Sequence, residues 1–176
     1  RKLIARTDGD WVGDPAGTDA AFASAAHRVS FRSRVQRVTG VHMEPRSAAA
    51  WHDPATGRYT LRASSGVGVV TMRDQLAATL GVEPGLVRVV APANVGGNFG
   101  TRNALYPEFV VLALAARQTG RPVKHVAERT EAFLSDYQGR DLEIEAELAL
   151  DAEGNFLAFR STNTANVGAH TVSYVP

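Results

Sequence analysis

The glycine-rich stretch Val95-Gly-Gly-Asn-Phe-Gly100 contains the residues best suited to hold a ligand. Gly96, Gly97 and Gly100 remove side chains where the chain turns and permit a positive φ, and they leave amide N–H groups free to point at an anion or at an oxygen ligand of a metal. A glycine-rich turn without a ligand has the same spacing, because glycine is common in loops. If the chain binds a ligand, we expect it at this stretch.

The two commonest glycine-rich nucleotide motifs do not fit this stretch. A dinucleotide-binding G-x-G-x-x-G motif that ends at Gly97 and Gly100 would need glycine where Val95 stands. A phosphate-binding P-loop ends in G-K-[ST], but Gly100 is followed by Thr101 and Arg102. The spacing therefore disfavours a dinucleotide site and excludes a nucleoside-triphosphate site.

Few other patterns in the chain indicate chemistry. Cysteine is absent, so these residues provide no thiolate nucleophile and no cysteine ligand for zinc or an iron–sulfur cluster. The five histidines lack metal-binding spacing, and no serine lies in a G-x-S-x-G motif. Glu143, Glu145 and Glu147 alternate with apolar residues, which favours a solvated sheet face over a metal site because clustered carboxylates repel one another. We therefore predict no metal ligand from a side chain.

Composition indicates an ordinary globular protein. The chain has 176 residues, of which 44% are hydrophobic and 21% charged, and its formal net charge of +1 provides no basic field for nucleic acid. No apolar run approaches the ~20 residues that cross a bilayer, and the start lacks a signal-peptide core, so we expect no membrane partner and a cytoplasmic location, with the periplasm left open. Since the chain does not start with methionine and stops at Pro176, we expect a single domain or a fragment of a longer protein.

The elements around the glycine-rich stretch are predicted from the residues that begin and end them. A short apolar strand, residues 87–91, leads into it. Pro107 and Glu108 suit the first turn of a helix, where a missing N–H is harmless and a carboxylate meets the positive end of the dipole. Its body, residues 109–116, is apolar nearly all round, which predicts burial on more than one side. Gly120-Arg-Pro122 ends the helix before a strand at 123–127.

The other elements complete an α+β architecture, a mixed sheet with packed helices. Residues 47–52 and 59–63 read as a hairpin, as do 142–150 and 156–159, and residues 29–35 alternate like a half-buried strand. A helix capped by Thr18 is predicted over 18–26, and a second helix contains Met72 and Leu76 and ends at Gly81.

Nearly the whole chain resembles the molybdenum-binding subunit of the xanthine dehydrogenase, aldehyde oxidase and aerobic carbon monoxide dehydrogenase family. The matching motifs occur in order along the chain, and together they are hard to reach by chance. They are Gly17-Thr-Asp-Ala-Ala-Phe-Ala-Ser-Ala-Ala-His-Arg-Val29, His42-Met-Glu-Pro-Arg46, Val95-Gly-Gly-Asn-Phe-Gly100, Tyr106-Pro-Glu108, Gly120-Arg-Pro-Val-Lys124, Glu128-Arg-Thr-Glu131, Gly139-Arg140 and Asn166-Val-Gly-Ala169.

The resemblance implies a hydroxylase-type oxidoreductase that uses molybdenum held by molybdopterin, in bacteria often as the cytosine dinucleotide, and takes oxygen from water. It implies a lead-in segment over residues 1–28 and an α+β molybdopterin-binding part over 29–176. Phe99 and the loop residues Gly96, Gly97, Asn98 and Gly100 match the family residues that lie against the molybdenum and the dithiolene.

The same resemblance implies an oligomeric complex with a small-molecule substrate. Iron–sulfur clusters and FAD are expected on partner subunits, which agrees with a chain that has no cysteine. The remainder of the molybdenum subunit is expected to supply an arginine-containing loop and the glutamate that acts as base. No catalytic residue is therefore expected before Pro176.

Four positions depart from the family pattern. A glutamine of the family aligns with Val67, or with Gly66 if the gap is moved, and neither can donate a side-chain hydrogen bond. The third glycine of the loop is Asn98, and the usual lysine is Arg102. Asn103 stands where purine hydroxylases carry a substrate-binding glutamate, which places it in the substrate pocket and argues against xanthine.

Three functions remain open from the sequence. The first is a part of a working molybdenum hydroxylase that oxidises an aldehyde, an N-heterocycle or a related small molecule. The second is a degenerate structural relative without a competent metal site. The third is an unrelated ligand-binding α+β domain.

Overall fold

The computed structural model of the protein describes residues 13–168. Along the chain the elements are α1 (Pro15–Ser24), β1 (His27–Thr39), β2 (Ser47–Asp53), β3 (Arg58–Ala63), α2 (Val69–Leu80), a 3₁₀ turn (Pro84–Leu86), β4 (Val87–Val90), α3 (Pro107–Thr119), β5 (Val123–Val126), α4 (Arg129–Ser135), β6 (Gln138–Leu150) and β7 (Phe156–Ala165). Within the described residues they form two compact units, residues 13–36 with 141–166, and residues 37–140 with 167–168.

The first unit contains α1 and a three-stranded sheet in the order β1-β6-β7. The predicted helix begins earlier than expected: its N-cap is Asp14, whose carboxylate accepts the amide of Gly17 at 2.9 Å. Thr18 is therefore not the cap. It lies in the first turn, and its hydroxyl donates to the Asp14 carbonyl at 2.8 Å. Asp14 precedes Pro15, which suits the first helical position because proline has no N–H to leave unpaired.

The hairpin of β6 and β7 is confirmed, and Glu145 and Glu147 lie on its predicted solvated face, with side chains 56% and 38% exposed. They are paired with cations of neighbouring strands: Arg32 contacts Glu145 at 2.5 Å, and Arg160 contacts Glu147 at 2.6 Å. The half-buried strand predicted for residues 29–35 is wrong in one respect, because Phe31 is 62% exposed. The one helix of this unit in the described range packs on β7, where Arg160 covers the ring of a buried phenylalanine, so it leaves Phe31 open.

The second unit contains a four-stranded mixed sheet in the order β4-β3-β2-β5. β2 is antiparallel to β3 and to β5, and β3 is parallel to β4, so the predicted hairpin of residues 47–63 and the predicted mixed sheet are both confirmed. Helices α2 and α3 pack against this sheet. Leu61, Met72 and Leu76 are fully buried at the centre of the core.

The helices that pack on the core end at the glycines predicted from the sequence. Gly81 ends α2 with φ +67° and Gly120 ends α3 with φ +65°, both in the left-handed region that favours glycine. The prediction that α3 is buried on more than one side is wrong: Phe109, Leu112, Ala113 and Ala116 are buried, whereas Val111 is 62% exposed. The sheet covers one side of the helix, so an apolar composition alone overstated its burial.

Helix α4 was not anticipated from the sequence. Glu128 and Glu131 form a capping box at its start, in which each carboxylate accepts the backbone N–H of the other residue. No helix within residues 13–168 has the length and apolar character needed to span a membrane.

Candidate functional site

The glycine-rich loop connects β4 to α3 and lies open to solvent. The Phe99 side chain is 76% exposed, and its backbone has φ +48°. On either side of it Gly97 and Gly100 have φ +112° and +88°. Three positive φ values within four residues make a sharp bend whose amides do not follow a strand or a helix.

Four consecutive amides of this bend have no acceptor. Among residues 13–168, the N–H groups of Gly97, Asn98, Phe99 and Gly100 make no hydrogen bond. The amide that follows them, on Thr101, donates to the Asn98 carbonyl at 3.0 Å and so closes the turn. Adjacent unpaired amides in a bend form a concave donor surface of the kind that binds anions and oxygen atoms.

Glycine is required in this loop because the turn at residues 42–44 lies directly beneath it. A Cβ on Gly97 would lie 2.8 Å from the Cβ of His42 and 3.0 Å from the Phe99 ring. A Cβ on Gly96 would lie 2.5 Å from the Cβ of Glu44. The Gly96 amide donates to the Glu44 carboxylate at 2.6 Å, and the Glu44 amide donates to the Gly96 carbonyl at 3.2 Å. The two segments therefore hold each other in place.

Arg102 anchors the C-terminal end of the loop to the core. Its guanidinium is 3% exposed, donates to the Ser64 hydroxyl and to the Glu44 carbonyl, and lies 3.6 Å from the Glu44 carboxylate. Burial lowers the pKa of Arg102, and the adjacent Glu44 carboxylate opposes that shift. Arg102 also presents its backbone N–H to the side-chain oxygen of Asn98 at 3.0 Å. Arg102 thus holds the loop through both its side chain and its backbone.

A buried polar network supports the turn at residues 42–46. Arg46 donates to the Glu108 carboxylate at 2.7 Å and to the Asp136 carboxylate. His42 Nε2 lies 3.2 Å from Asp136 Oδ2, but outside hydrogen-bond geometry. Burial first, and then the Arg102 guanidinium, lower the pKa of His42 below its usual range. His42 is therefore neutral at pH 7.

Tyr106 links the loop to α3. Its hydroxyl donates to the Thr101 carbonyl, its ring stacks on Tyr137 with centroids 4.7 Å apart, and the Arg46 guanidinium lies 3.9 Å above the ring. Burial raises the pKa of Tyr106 to about 12, so the hydroxyl remains a donor at all ordinary pH values. The C-terminal end of the loop is therefore held by a hydroxyl that stays protonated near pH 7.

The structure brings most of the sequence-predicted site residues together. Gly96 to Gly100 and Asn103 lie in one loop, and the Gly66 amide donates to the Arg102 carbonyl at 2.8 Å, which places the segment between β3 and α2 beside that loop. Val67 is half-buried and packs against the hydrophobic core. The cofactor-binding roles of these residues, the place of Phe99 near molybdenum and the substrate role of Asn103 stay predictions.

Sequence reasoning missed the supporting residues. His42, Arg46 and Tyr106 were noticed only as members of matching motifs, and Asp136 carried no signal at all. A buried charge network joins residues that are far apart in the chain, so spacing does not reveal it. No three acidic or histidine side chains within residues 13–168 are grouped to hold a metal ion.

Comparison with known proteins identifies the family. A family model described as the molybdopterin cofactor-binding domain matches residues 3–175. The gamma subunit of the 6-hydroxypseudooxynicotine dehydrogenase complex of Paenarthrobacter nicotinovorans is 38% identical over 86% of this chain and 19% of its own length. The carbon monoxide dehydrogenase large chain of Hydrogenophaga pseudoflava is 34% identical over 90% of this chain and 19% of its own length.

Solved structures agree with these relatives. The reconstituted CO dehydrogenase from Oligotropha carboxidovorans superposes with a TM-score of 0.80 at 30% identity, over 88% of this chain and 19% of that one. The aldehyde oxidoreductase from Desulfovibrio gigas superposes with a TM-score of 0.75 at 27% identity, over 83% of this chain and 16% of that one. The α+β fold is confirmed, and the chain spans about a fifth of the length of the curated relatives, 19% in the first two. The chain therefore belongs to the molybdopterin cofactor-binding domain family of the molybdenum-binding subunits of carbon monoxide dehydrogenases, xanthine dehydrogenases and aldehyde oxidoreductases, as the motifs predicted.

Proposed function

We propose that this chain is part of a molybdenum hydroxylase-type oxidoreductase that oxidises an aldehyde, an N-heterocycle or a related small molecule. The observation that carries the proposal is a run of four amides at an exposed bend, Gly97 to Gly100, that have no acceptor within residues 13–168. An exposed donor surface of this kind is suited to a molecule that presents several acceptor atoms. Membership of the family makes molybdopterin with molybdenum that molecule.

The residues of the loop fit such a cofactor. The amides from residue 97 to residue 100 would donate to its oxygen and sulfur acceptors, and Phe99 would present an exposed ring beside it. Glycine at residues 96 and 97 lets the loop lie directly on the turn at residues 42–44, because a Cβ there would displace that turn, and this packing sets the conformation in which the amides are presented. When bound, the cofactor supplies the two-electron redox chemistry, and this chain supplies binding and orientation.

The proposal includes parts that lie outside these residues. We expect the remainder of the molybdenum subunit to supply the glutamate base and the arginine-containing loop, with water as the oxygen source. Iron–sulfur and FAD subunits would accept the electrons, the cofactor would be the cytosine dinucleotide form, and the oligomeric complex would reside in the cytoplasm.

The test uses the full-length subunit purified with its partners. Molybdenum and pterin are measured per subunit, and oxidation of candidate aldehydes and N-heterocycles is followed in ¹⁸O-labelled water. The proposal predicts about one molybdenum per subunit and the heavy isotope in the product. Product that carries oxygen from another source would contradict it.

The second candidate is a degenerate relative that keeps the fold without a competent metal site. Val67 and Asn98 favour it, because neither is the residue type that the family pattern has at its position. A folded complex that contains no molybdenum would establish this alternative.

A further inference from the structure

Helices α2 and α3 cover only one face of the four-stranded sheet. They pack on the face that carries Tyr59, Leu61 and Val87, all of which are buried. Successive side chains of a strand point to opposite faces, so the residues that alternate with these lie on the other side of the sheet. That side, which we call the cationic face, presents four exposed cations: Arg58 and Arg62 of β3, Arg88 of β4 and Lys124 of β5.

The register of the strands brings these cations close together. Arg62 lies opposite Ala49, which in turn lies opposite Lys124 on the next strand. On the other side of β3, Arg88 lies opposite Thr60. Neighbouring strands are about 4.8 Å apart, so the cationic face spans only about 15 Å across the four strands. Like charges at such separations repel one another unless anions lie beside them.

The carboxylates near the cationic face are engaged elsewhere. Asp53 accepts two hydrogen bonds from its own turn, at 2.6 and 3.0 Å. Glu44 lines a small pocket with Arg62 and Lys124, but its carboxylate accepts the Gly96 amide at 2.6 Å. Within residues 13–168, none of the four cations forms an ion pair. The cationic face therefore lacks anions that would balance it.

We infer that the cationic face docks an acidic surface of another subunit of the complex in which this chain works. This inference rests on the proposed function, because a partner subunit is part of that proposal. A surface with several carboxylates complements the four cations, and such complementarity fixes the orientation of two proteins and speeds their encounter.

The composition of the face favours a separately folded protein as the occupant. Arginine and tryptophan are enriched in the interfaces between proteins, and Trp51 lies on this face with 38% of its surface exposed. A contact inside one subunit would resemble a core, in which four cations would lose their water at a high cost. A second copy in a two-fold contact would set like charges against each other.

The test is zero-length carbodiimide cross-linking of the purified full-length complex, with the linked peptides identified by mass spectrometry. The reagent joins a lysine amine to a carboxylate in direct contact with it, and Lys124 is the one lysine within residues 13–168. We expect Lys124 to be joined to an aspartate or glutamate of another subunit. Lys124→Arg keeps the charge and removes the amine, so it should abolish this link while the subunits stay associated.

Charge reversal tests whether the cationic face as a whole is required. Arg62→Glu and Arg88→Glu should each lower the yield of the Lys124 link about five-fold or more, because a glutamate repels the acidic partner. Salt at about 1 M, where the Debye length is about 3 Å, should have the same effect on the unmodified complex. Arg117→Glu is the matched control, because Arg117 is exposed on α3 and donates to Tyr59 on the opposite face of the sheet. It should leave the yield of the link unchanged.

Three results would each overturn the inference. They are the absence of any link at Lys124, a link confined to its own subunit, and equal yields in Arg62→Glu and Arg117→Glu. If Arg62→Glu does not fold, Arg88→Glu takes its place in this comparison.

Molybdenum content is recorded for every complex and separates this inference from the proposed function. A complex without molybdenum in which Lys124 is linked to another subunit refutes the proposed chemistry and leaves the docking surface standing. A molybdenum-loaded protein without such a link refutes the docking surface alone.

Discussion

Replacement of Gly97 by valine tests whether the glycine loop holds the cofactor through its backbone. Gly97 has φ +112°, which a β-branched residue does not adopt without strain. Its new Cβ would lie 2.8 Å from the Cβ of His42 and 3.0 Å from the Phe99 ring. His42 cannot move aside easily because it is buried, so the loop itself must shift and carry its unpaired amides with it.

The expected loss of cofactor affinity is estimated from the backbone strain at residue 97 and from the overlap of the new Cβ with its neighbours. A backbone held in a disfavoured region costs about 1–3 kcal/mol, and overpacking costs about another 1–3 kcal/mol. If even ~2 kcal/mol of this opposes the binding conformation, cofactor affinity falls about 30-fold. We therefore expect Gly97→Val to lower molybdenum and pterin occupancy of the full-length subunit well below that of the unmodified protein.

The assay measures metal by mass spectrometry and pterin by fluorescence after oxidation, with the cofactor limiting. Gly57→Val is the matched control, because Gly57 has φ +70° but no atom within 4 Å of the position that a Cβ would take, and it lies in the remote β2–β3 turn. The control should lose some thermal stability and keep its cofactor. Full occupancy in Gly97→Val, or equal losses in both variants, would show that the loop has been assigned the wrong role.

Three further predictions concern the supporting network. Tyr106→Phe leaves the buried Thr101 carbonyl without its donor, and we expect a loss of about 1–3 kcal/mol in stability and faster hydrogen exchange of the hydrogen-bonded Thr101 and Arg102 amides. Arg46→Met leaves the Asp136 carboxylate buried without its cation, and it should cost about 3–5 kcal/mol, measured by thermal unfolding of the full-length subunit. Because the folded pKa of His42 lies below its ordinary value of about 6.5, its contribution to stability is complete above pH 6.5 and is lost as the pH falls, so melting temperatures should drop on acidification and drop less in His42→Gln.

Each of these predictions has a matched control. Tyr59→Phe removes a hydroxyl that accepts a long 3.3 Å bond from Arg117 and makes no other bond within residues 13–168, so it should cost less than Tyr106→Phe. Arg73→Met removes an arginine whose ion pair with Asp74 is partly exposed, with side chains 38% and 51% accessible, and it should be nearly neutral. His27→Gln alters an exposed histidine and should leave the acid sensitivity unchanged. If a variant and its control changed stability or acid sensitivity equally, the supporting role of the buried network would be refuted.

Much of the fold followed from local patterns. Gly81 and Gly120 end their helices in the left-handed region, and Pro107 begins α3, because those conformations depend on the residue itself and its immediate neighbours. The alternation of apolar residues with glutamates likewise predicted the β6–β7 hairpin. The cap at Asp14 was missed because a threonine further along is also a good cap, and the exposed side of α3 was missed because periodicity does not tell how many neighbours a helix has.

The sequence by itself determined the family and the position of the glycine loop, because ordered motifs and side-chain-free residues are properties of the chain. Only the tertiary structure decided which amides of that loop stay unpaired, since this depends on Glu44 and Asn98 occupying the neighbouring donors. It likewise decided that His42 and Asp136, far apart in the chain, meet under the loop. Hydrogen-bond partners and burial are set by which surfaces pack together, and no spacing along a single chain specifies them.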